Sequence, residues 1–129
     1  MKERKILFRG KRIYNANADE WIYGGYVFKE QSTHQHYILT SEVEHVAVDP
    51  KTLGQFTGLI DVDDNKIFED DILNNPIYDE DKWERCLVYY DNDLARFGLK
   101  FFSPWGGEGY TGRNQHIDVF VNKLECKVI

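Results

Sequence analysis

The sequence holds few of the residues that staple a chain, kink it or carry it through a membrane. Its 129 residues include two cysteines, three prolines and one methionine. Cys86 and Cys126 are too few to form the disulfide framework of a small secreted domain, and neither stands in a C-x-x-C pair. Both lie in strand-like apolar surroundings, where a thiol behaves as a small hydrophobe, so free buried thiols are expected. No apolar run approaches the roughly 20 residues that cross a bilayer. Ile6-Leu7-Phe8, behind the basic start, is too short for the core of a signal peptide. A soluble protein that stays in the cytoplasm, with no membrane partner, is the expectation. Helical periodicity is also missing: apolar residues never recur at helical spacing for three turns without an intervening Gly, Pro or strand-like run, which excludes a helical bundle.

What is present suits a β protein. Hydrophobic residues make up 42% and aromatics 15% of the chain, enough apolar side chain to offset the ordering entropy that leaves charge-rich chains disordered. The length fits one core, and a single domain over residues 1–129 is expected. The net charge of −6 is unevenly spread. Lys2, Arg4, Lys5, Arg9, Lys11 and Arg12 face only Glu3 in the first twelve residues, a local sum of +5, which leaves −11 for the remainder. Much of that negative charge falls between Asp61 and Glu84. An acidic body repels phosphate and disfavours nonspecific nucleic-acid binding, while the basic segment can touch phosphate or pair with acidic residues of its own or a neighbouring subunit.

Along the chain, residues 4–11 read as an opening strand. Trp21 to Phe28 follows, rich in aromatic and branched residues that suit a pleated surface, with Gly24-Gly25 marking a bulge or bend. Gln35 to Thr40 and His45 to Val48 are two further short strands. Asp49-Pro50-Lys51-Thr52-Leu53-Gly54 predicts a single helical turn, capped by Asp49, opened by Pro50 and ended by Gly54 at positive φ. Gln55 to Ile60 and Lys66 to Phe68 form a hairpin around Asp63-Asp64-Asn65, after which Asp71-Ile72-Leu73 resumes the apolar pattern. Asn74 to Lys82 reads as an exposed acidic loop. Glu84 to Tyr90 and Arg96 to Phe102 form a longer hairpin around Asp91-Asn92-Asp93. Gly-rich residues 103–114 read as a loop, and Ile117 to Val121 and Leu124 to Ile129 as closing strands. The fold class is all-β, or mainly β with one or two short helices, arranged as a small bent barrel or a pair of packed sheets.

Four blocks carry a resemblance: Ile6-Leu7-Phe8-Arg9-Gly10-Lys11, Trp21-Ile22-Tyr23-Gly24, Val48 through Leu59, and Asp64 through Ile72. In this order and spacing they resemble the YopX family of uncharacterised proteins from bacteriophages and prophages. That family runs from a basic start through Trp-x-Tyr-Gly to Pro-x-Thr-hydrophobic-Gly-Gln-x-Thr-Gly-Leu, then through Asp-x-Asn-Gly to Ile-Tyr-Glu-Gly-Asp-Ile. Lys66 and Asp70 stand where the family has glycines, so positive or unusual φ is expected there, with Asn65 and Asp70 as tolerant substitutes. Beyond Trp83 the match is loose. The resemblance implies a phage or prophage origin, a bacterial host cytoplasm, a mostly β fold that is SH3-like in part, and self-association into a ring-like oligomer. It implies no activity. The glycines then serve turns, and Glu69-Asp70-Asp71 satisfies backbone donors at a bend.

Chemistry-bearing patterns fall short of a reaction site. Asp61-Val62-Asp63-Asp64-Asn65 has the start of a calcium loop, but Lys66 and Ile72 stand where such a loop needs Gly and a bidentate Glu. His34 and His36 project to one face of an extended segment and, with His45, lack the thiol or carboxylate that would complete a metal site. Neither Cys86 nor Cys126 is singled out as a nucleophile by any of His34, His36, His45 or His116. Gly106-Gly107-Glu108-Gly109-Tyr110-Thr111-Gly112-Arg113 lacks the Gly-Lys-Ser/Thr ending of a phosphate cradle. No catalytic residue, metal or cofactor is therefore expected, and two binding readings remain. The first is a non-enzymatic accessory module that binds itself and a phage or host protein, with Phe101, Phe102, Trp105 and Tyr110 as partner contacts. The second is nucleic-acid binding by a small β-barrel, with Arg4, Lys5, Arg9, Lys11 and Arg12 on phosphates and Trp21 or Tyr23 stacked on bases.

Overall fold

The computed structural model describes residues 3–14, 19–74, 85–102 and 127–128. It is mainly β. Among the described residues ten strands, β1 (Phe8–Lys11), β2 (Trp21–Phe28), β3 (His36–Leu39), β4 (His45–Ala47), β5 (Gly54–Ile60), β6 (Lys66–Phe68), β7 (Ile72–Asn74), β8 (Arg85–Asp91), β9 (Arg96–Phe102) and β10 (Lys127–Val128), accompany one 3-10 turn, Pro50–Thr52. They group into two antiparallel sheets, and the chain divides into two compact units, Met1–Phe56 and Thr57–Ile129.

In the first unit the strand order is β4-β3-β2-β1-β5. Strand β2 serves two neighbours in succession: residues 21–24 pair with β1, and residues 25–28 pair with β3. The change falls between Gly24 and Gly25, so the glycine pair marks a handover within one unbroken strand, where a bulge or bend was expected. Gly24 is required there, because a Cβ on it would collide with the Leu39 carbonyl oxygen, whereas a Cβ on Gly25 would meet nothing within 4 Å. One face of this sheet carries the core, Ile22, Ile38, Val46 and Val48, with Phe8 and Leu53 packed against it.

The 3-10 turn forms as its sequence predicts at the start, with the Asp49 carboxylate accepting the Lys51 N–H at 3.0 Å and Pro50 opening the turn. Its end differs. Leu53 closes it in an extended conformation and Gly54 is already the first residue of β5, so no left-handed residue is needed.

The expected barrel does not close. A single bridge, Arg12 to Val48, flanked by Asp49 N–H to Lys11 O at 2.9 Å and Ile13 N–H to Ala47 O at 3.2 Å, draws the tail of β1 toward the end of β4. The ladder stops there because the chain turns at Pro50, which has no N–H to extend it. Among the described residues the sheet stays open. The opening strand is also shorter than expected: Arg4 to Leu7 lies outside it, although the Leu7 carbonyl accepts the Phe56 N–H at 2.8 Å.

In the second unit β5 continues to Ile60 and neighbours β6 across the expected acidic turn, and β10-β7-β8-β9 form a four-stranded sheet. The β8–β9 hairpin is fully paired from Arg85–Phe102 to Asp91–Arg96. Its core is Ile67, Leu73, Cys86, Val88 and Leu99, flanked by Leu59, Phe97 and Val128. Cys86 is a free buried thiol, as expected. Cys126 and the closing strand at 117–121 lie outside the described residues.

Two buried aspartates organise the turns of this unit. The Asp61 carboxylate accepts N–H groups from Asp63, Asn65 and Val128, and the Asn65 amide, at 2.8–3.1 Å. Asp71 accepts the Phe68 N–H at 2.8 Å. The calcium-loop pattern is thus a turn that consumes its first carboxylate internally, and the Glu69-Asp70-Asp71 bend satisfies a backbone donor as its sequence suggests. Asp64 and Asp70 take positive φ, 64° and 73°. Asp70 does so where the resemblance places a glycine, and in the hairpin the left-handed residue is Asp64, inside the expected Asp63-Asp64-Asn65 turn, and not Asn65 or Lys66.

Candidate functional site

Alternation along β1 and β2 separates their side chains cleanly. Phe8 and Gly10 lie opposite Gly24 and Ile22 on the core side, which leaves Arg9 opposite Tyr23 and Lys11 opposite Trp21 on the outer side. The Arg9 guanidinium carbon sits 4.3 Å from the centroid of the Trp21 ring and the Lys11 ammonium 5.1 Å from it, so two cations cover one indole. Tyr23 beside them is 47% exposed. Four of the residues singled out from the sequence thus come together on one two-stranded surface.

The other basic residues do not join them. Arg4 and Lys5 are exposed ahead of β1. Arg12 falls on the opposite side of the alternation, bridged to Val48, with its Nε 3.6 Å from a Glu20 carboxylate oxygen. Of the expected partner contacts, Trp105 and Tyr110 lie outside the described residues. Phe101 and Phe102 belong to β9, and their side chains also lie outside what is described.

The histidines are dispersed. His34 precedes β3 and pairs with the Tyr14 hydroxyl. His36 receives or gives a 2.6 Å hydrogen bond with the Tyr26 hydroxyl and packs between Tyr26 and Phe28. His45 stands opposite Leu39 in β4, on the other face of the sheet from His36. Among the described residues no three His, Cys, Asp or Glu side chains converge on a metal position.

One feature was not legible in the sequence. Beside the Arg12–Val48 bridge lies a cleft of about 470 Å³, lined by Arg12, Tyr14, Tyr37, Glu44, His45, Val46 and Ala47. Its residues come from three separated stretches, brought together by the register of β3 with β4 and by the Arg12–Val48 bridge.

Charge is divided between the two units. The first carries eight Lys and Arg against seven Asp and Glu, the second eight against fifteen, or +1 and −7. Within the second, burial works to raise the Asp61 pKa, but hydrogen bonds from the Val128, Asn65 and Asp63 backbone and the Asn65 amide outweigh it and hold it below the ordinary carboxylate range. Asp61 is therefore a structural anion and not a proton donor near neutrality.

The family model described as YopX protein matches residues 8–123, nearly the whole chain. No curated protein matches it.

Proposed function

Because the chain belongs to the YopX family, we propose that it is a non-enzymatic accessory module of phage or prophage type, acting in the bacterial cytoplasm by binding to itself and to a phage or host protein. The observation that carries this reading is the outer face of β1 and β2, where Arg9, Lys11, Trp21 and Tyr23 stand side by side. Arg, Trp and Tyr dominate the energetics of protein interfaces, and antiparallel pairing holds them in place before a partner arrives. The strongly acidic second unit of a neighbouring copy is a complementary partner for the basic side of that face. Sedimentation velocity over a concentration series tests it. Association that weakens as salt rises and is reduced in the Arg9→Glu/Lys11→Glu variant is expected. A strict monomer at high concentration, with no partner recovered by pull-down, overturns it.

The same face supports a second reading, single-stranded nucleic-acid binding, since cations beside an indole and a phenol are the elements of a stacking platform. Titration with single- and double-stranded DNA at low salt separates the two, because a phosphate-driven complex weakens linearly in log–log salt plots. The overall negative charge places this reading second.

A further inference from the structure

We propose that the cleft between the tail of β1 and the outer edge of β4 binds an extended peptide ending in a carboxylate. This inference concerns a different surface from the Arg9–Trp21 face and does not depend on self-association.

Three properties of the cleft point to this ligand. The first is an unsatisfied strand edge. The even-numbered residues of β4 and its flanks face β3: just outside the strand ends the Glu44 carbonyl accepts the Thr40 N–H at 2.9 Å, and the Val48 N–H donates to the His36 carbonyl at 3.1 Å. The odd-numbered backbone groups therefore face the other way. On that side only the Ala47 carbonyl is used, by the Ile13 N–H, and among the described residues the Ala47 N–H and both backbone groups of His45 have no backbone partner. A peptide added as a strand supplies matching donors and acceptors.

The second property is charge. Arg12 lines the cleft at the end where the two strands meet. Its charge partner among the described residues is Glu20, whose side chain is 50% exposed and stands at 3.6 Å, too far for a hydrogen bond. The Arg12 Nε is buried without a hydrogen-bond partner. A guanidinium that keeps unused donors in a partly buried position favours a planar carboxylate, which it can grip with two parallel bonds. Glu44, at the other end of β4, accepts hydrogen bonds only, and so suits amide donors of the same peptide.

The third is the lining between these charges. Tyr14 and Tyr37 offer ring surface, with the Lys29 ammonium 4.3 Å from the centroid of the Tyr37 ring, and Ala47 offers aliphatic surface, while the Val46 side chain stays in the core. A carboxylate, an amide backbone and one apolar side chain are the parts of a peptide C-terminus, and each finds its counterpart here.

The full chain is titrated with acetyl-Ala-Ala-Val bearing a free carboxylate, with the same peptide as its C-terminal amide, and with adenosine monophosphate and inorganic phosphate, following backbone amide resonances. Saturable shifts of Tyr37, His45 and Ala47 are expected with the free acid. The amide form should bind roughly tenfold more weakly or worse, since a hydrogen-bonded charge pair is lost. The Arg12→Gln variant should lose the same factor, with its native spectrum elsewhere confirming the fold. Equal binding of acid and amide, absence of shifts at these three residues, or tighter binding of the nucleotide or phosphate at the same residues would each overturn the proposal.

Discussion

The Asp61 carboxylate accepts the backbone N–H of Val128 at 3.0 Å across 67 residues of sequence, and so ties the β5–β6 turn to the last strand. The same group also holds the turn itself together, which makes one buried side chain the meeting point of two distant pieces of backbone. Asp61→Ala leaves several N–H groups unsatisfied and should cost about 1–3 kcal/mol at neutral pH. The pH dependence follows from the lowered pKa. In the unfolded chain Asp61 titrates at its ordinary value and in the folded protein below it. The stabilisation is therefore complete above the unfolded value and is lost as pH falls through the folded one. Urea denaturation of parent and variant should give a gap that is constant near neutrality and shrinks in acid. A gap independent of pH down to the acid transition contradicts this.

Gly24 and Gly25 are neighbours in sequence and opposites in tolerance. A Cβ at Gly24 meets the Leu39 carbonyl, which the β2–β3 ladder holds in place, while a Cβ at Gly25 enters open space. Gly24→Ala should cost about 3 kcal/mol, the upper end of ordinary overpacking. Gly25→Ala should change stability by less than about 0.5 kcal/mol. Thermal melts of the two variants decide the point, and similar melting temperatures would refute it.

Much of this architecture could be read from the sequence, and the reasons are local. The turn Asp63-Asp64-Asn65, the capped Asp49-Pro50 turn and the Asp91-Asn92-Asp93 hairpin are each specified by a side chain that bonds backbone within a few residues. The alternation that puts Arg9 and Lys11 beside Trp21 and Tyr23 is likewise visible once two strands are paired. What was hidden depends on long-range register. Nothing near Arg12 says that it bridges Val48, and nothing near Gly24 says that β2 changes partner there. The failure to close a barrel rests on the same kind of fact: one bridge forms where a ladder would be needed, because Pro50 follows two residues later.

Val43 is an exposed β-branched residue held at φ 64° in the turn between β3 and β4, where its N–H donates to the Thr40 carbonyl at 3.0 Å. A branched Cβ in the left-handed region is strained, and Asn tolerates that region far better. Val43→Asn should stabilise the protein by about 1 kcal/mol, read as a rise in the urea midpoint with unchanged slope. Asp70 poses the milder version of the same problem at φ 73°. Asp70→Gly should therefore gain less than Val43→Asn, because Asp is already among the tolerant residues and glycine adds unfolded-state entropy. The reverse order of the two gains would show that strain at these turns is relieved by other means.

Cys86 is fully buried among Leu73, Val88 and Leu99, and its Sγ lies 3.8 Å from the Leu73 carbonyl. Its paired neighbours in β7 and β9 are Leu73 and Phe101, so a reagent can reach it only when the centre of the four-stranded sheet opens. Alkylation of the Cys86 peptide, followed by mass spectrometry, should be slow in the native protein and rise in parallel with unfolding as urea is added. The rate then reports the opening free energy of this sheet, because a thiol inside a core exchanges with solvent through unfolding. Leu73→Ala, which removes a fully buried neighbour and should cost about 2–5 kcal/mol, must accelerate that labelling by a matching factor. Fast labelling of Cys86 in the folded parent would mean that the sheet centre opens without unfolding, and the core described for the second unit could not then be the one that stabilises it.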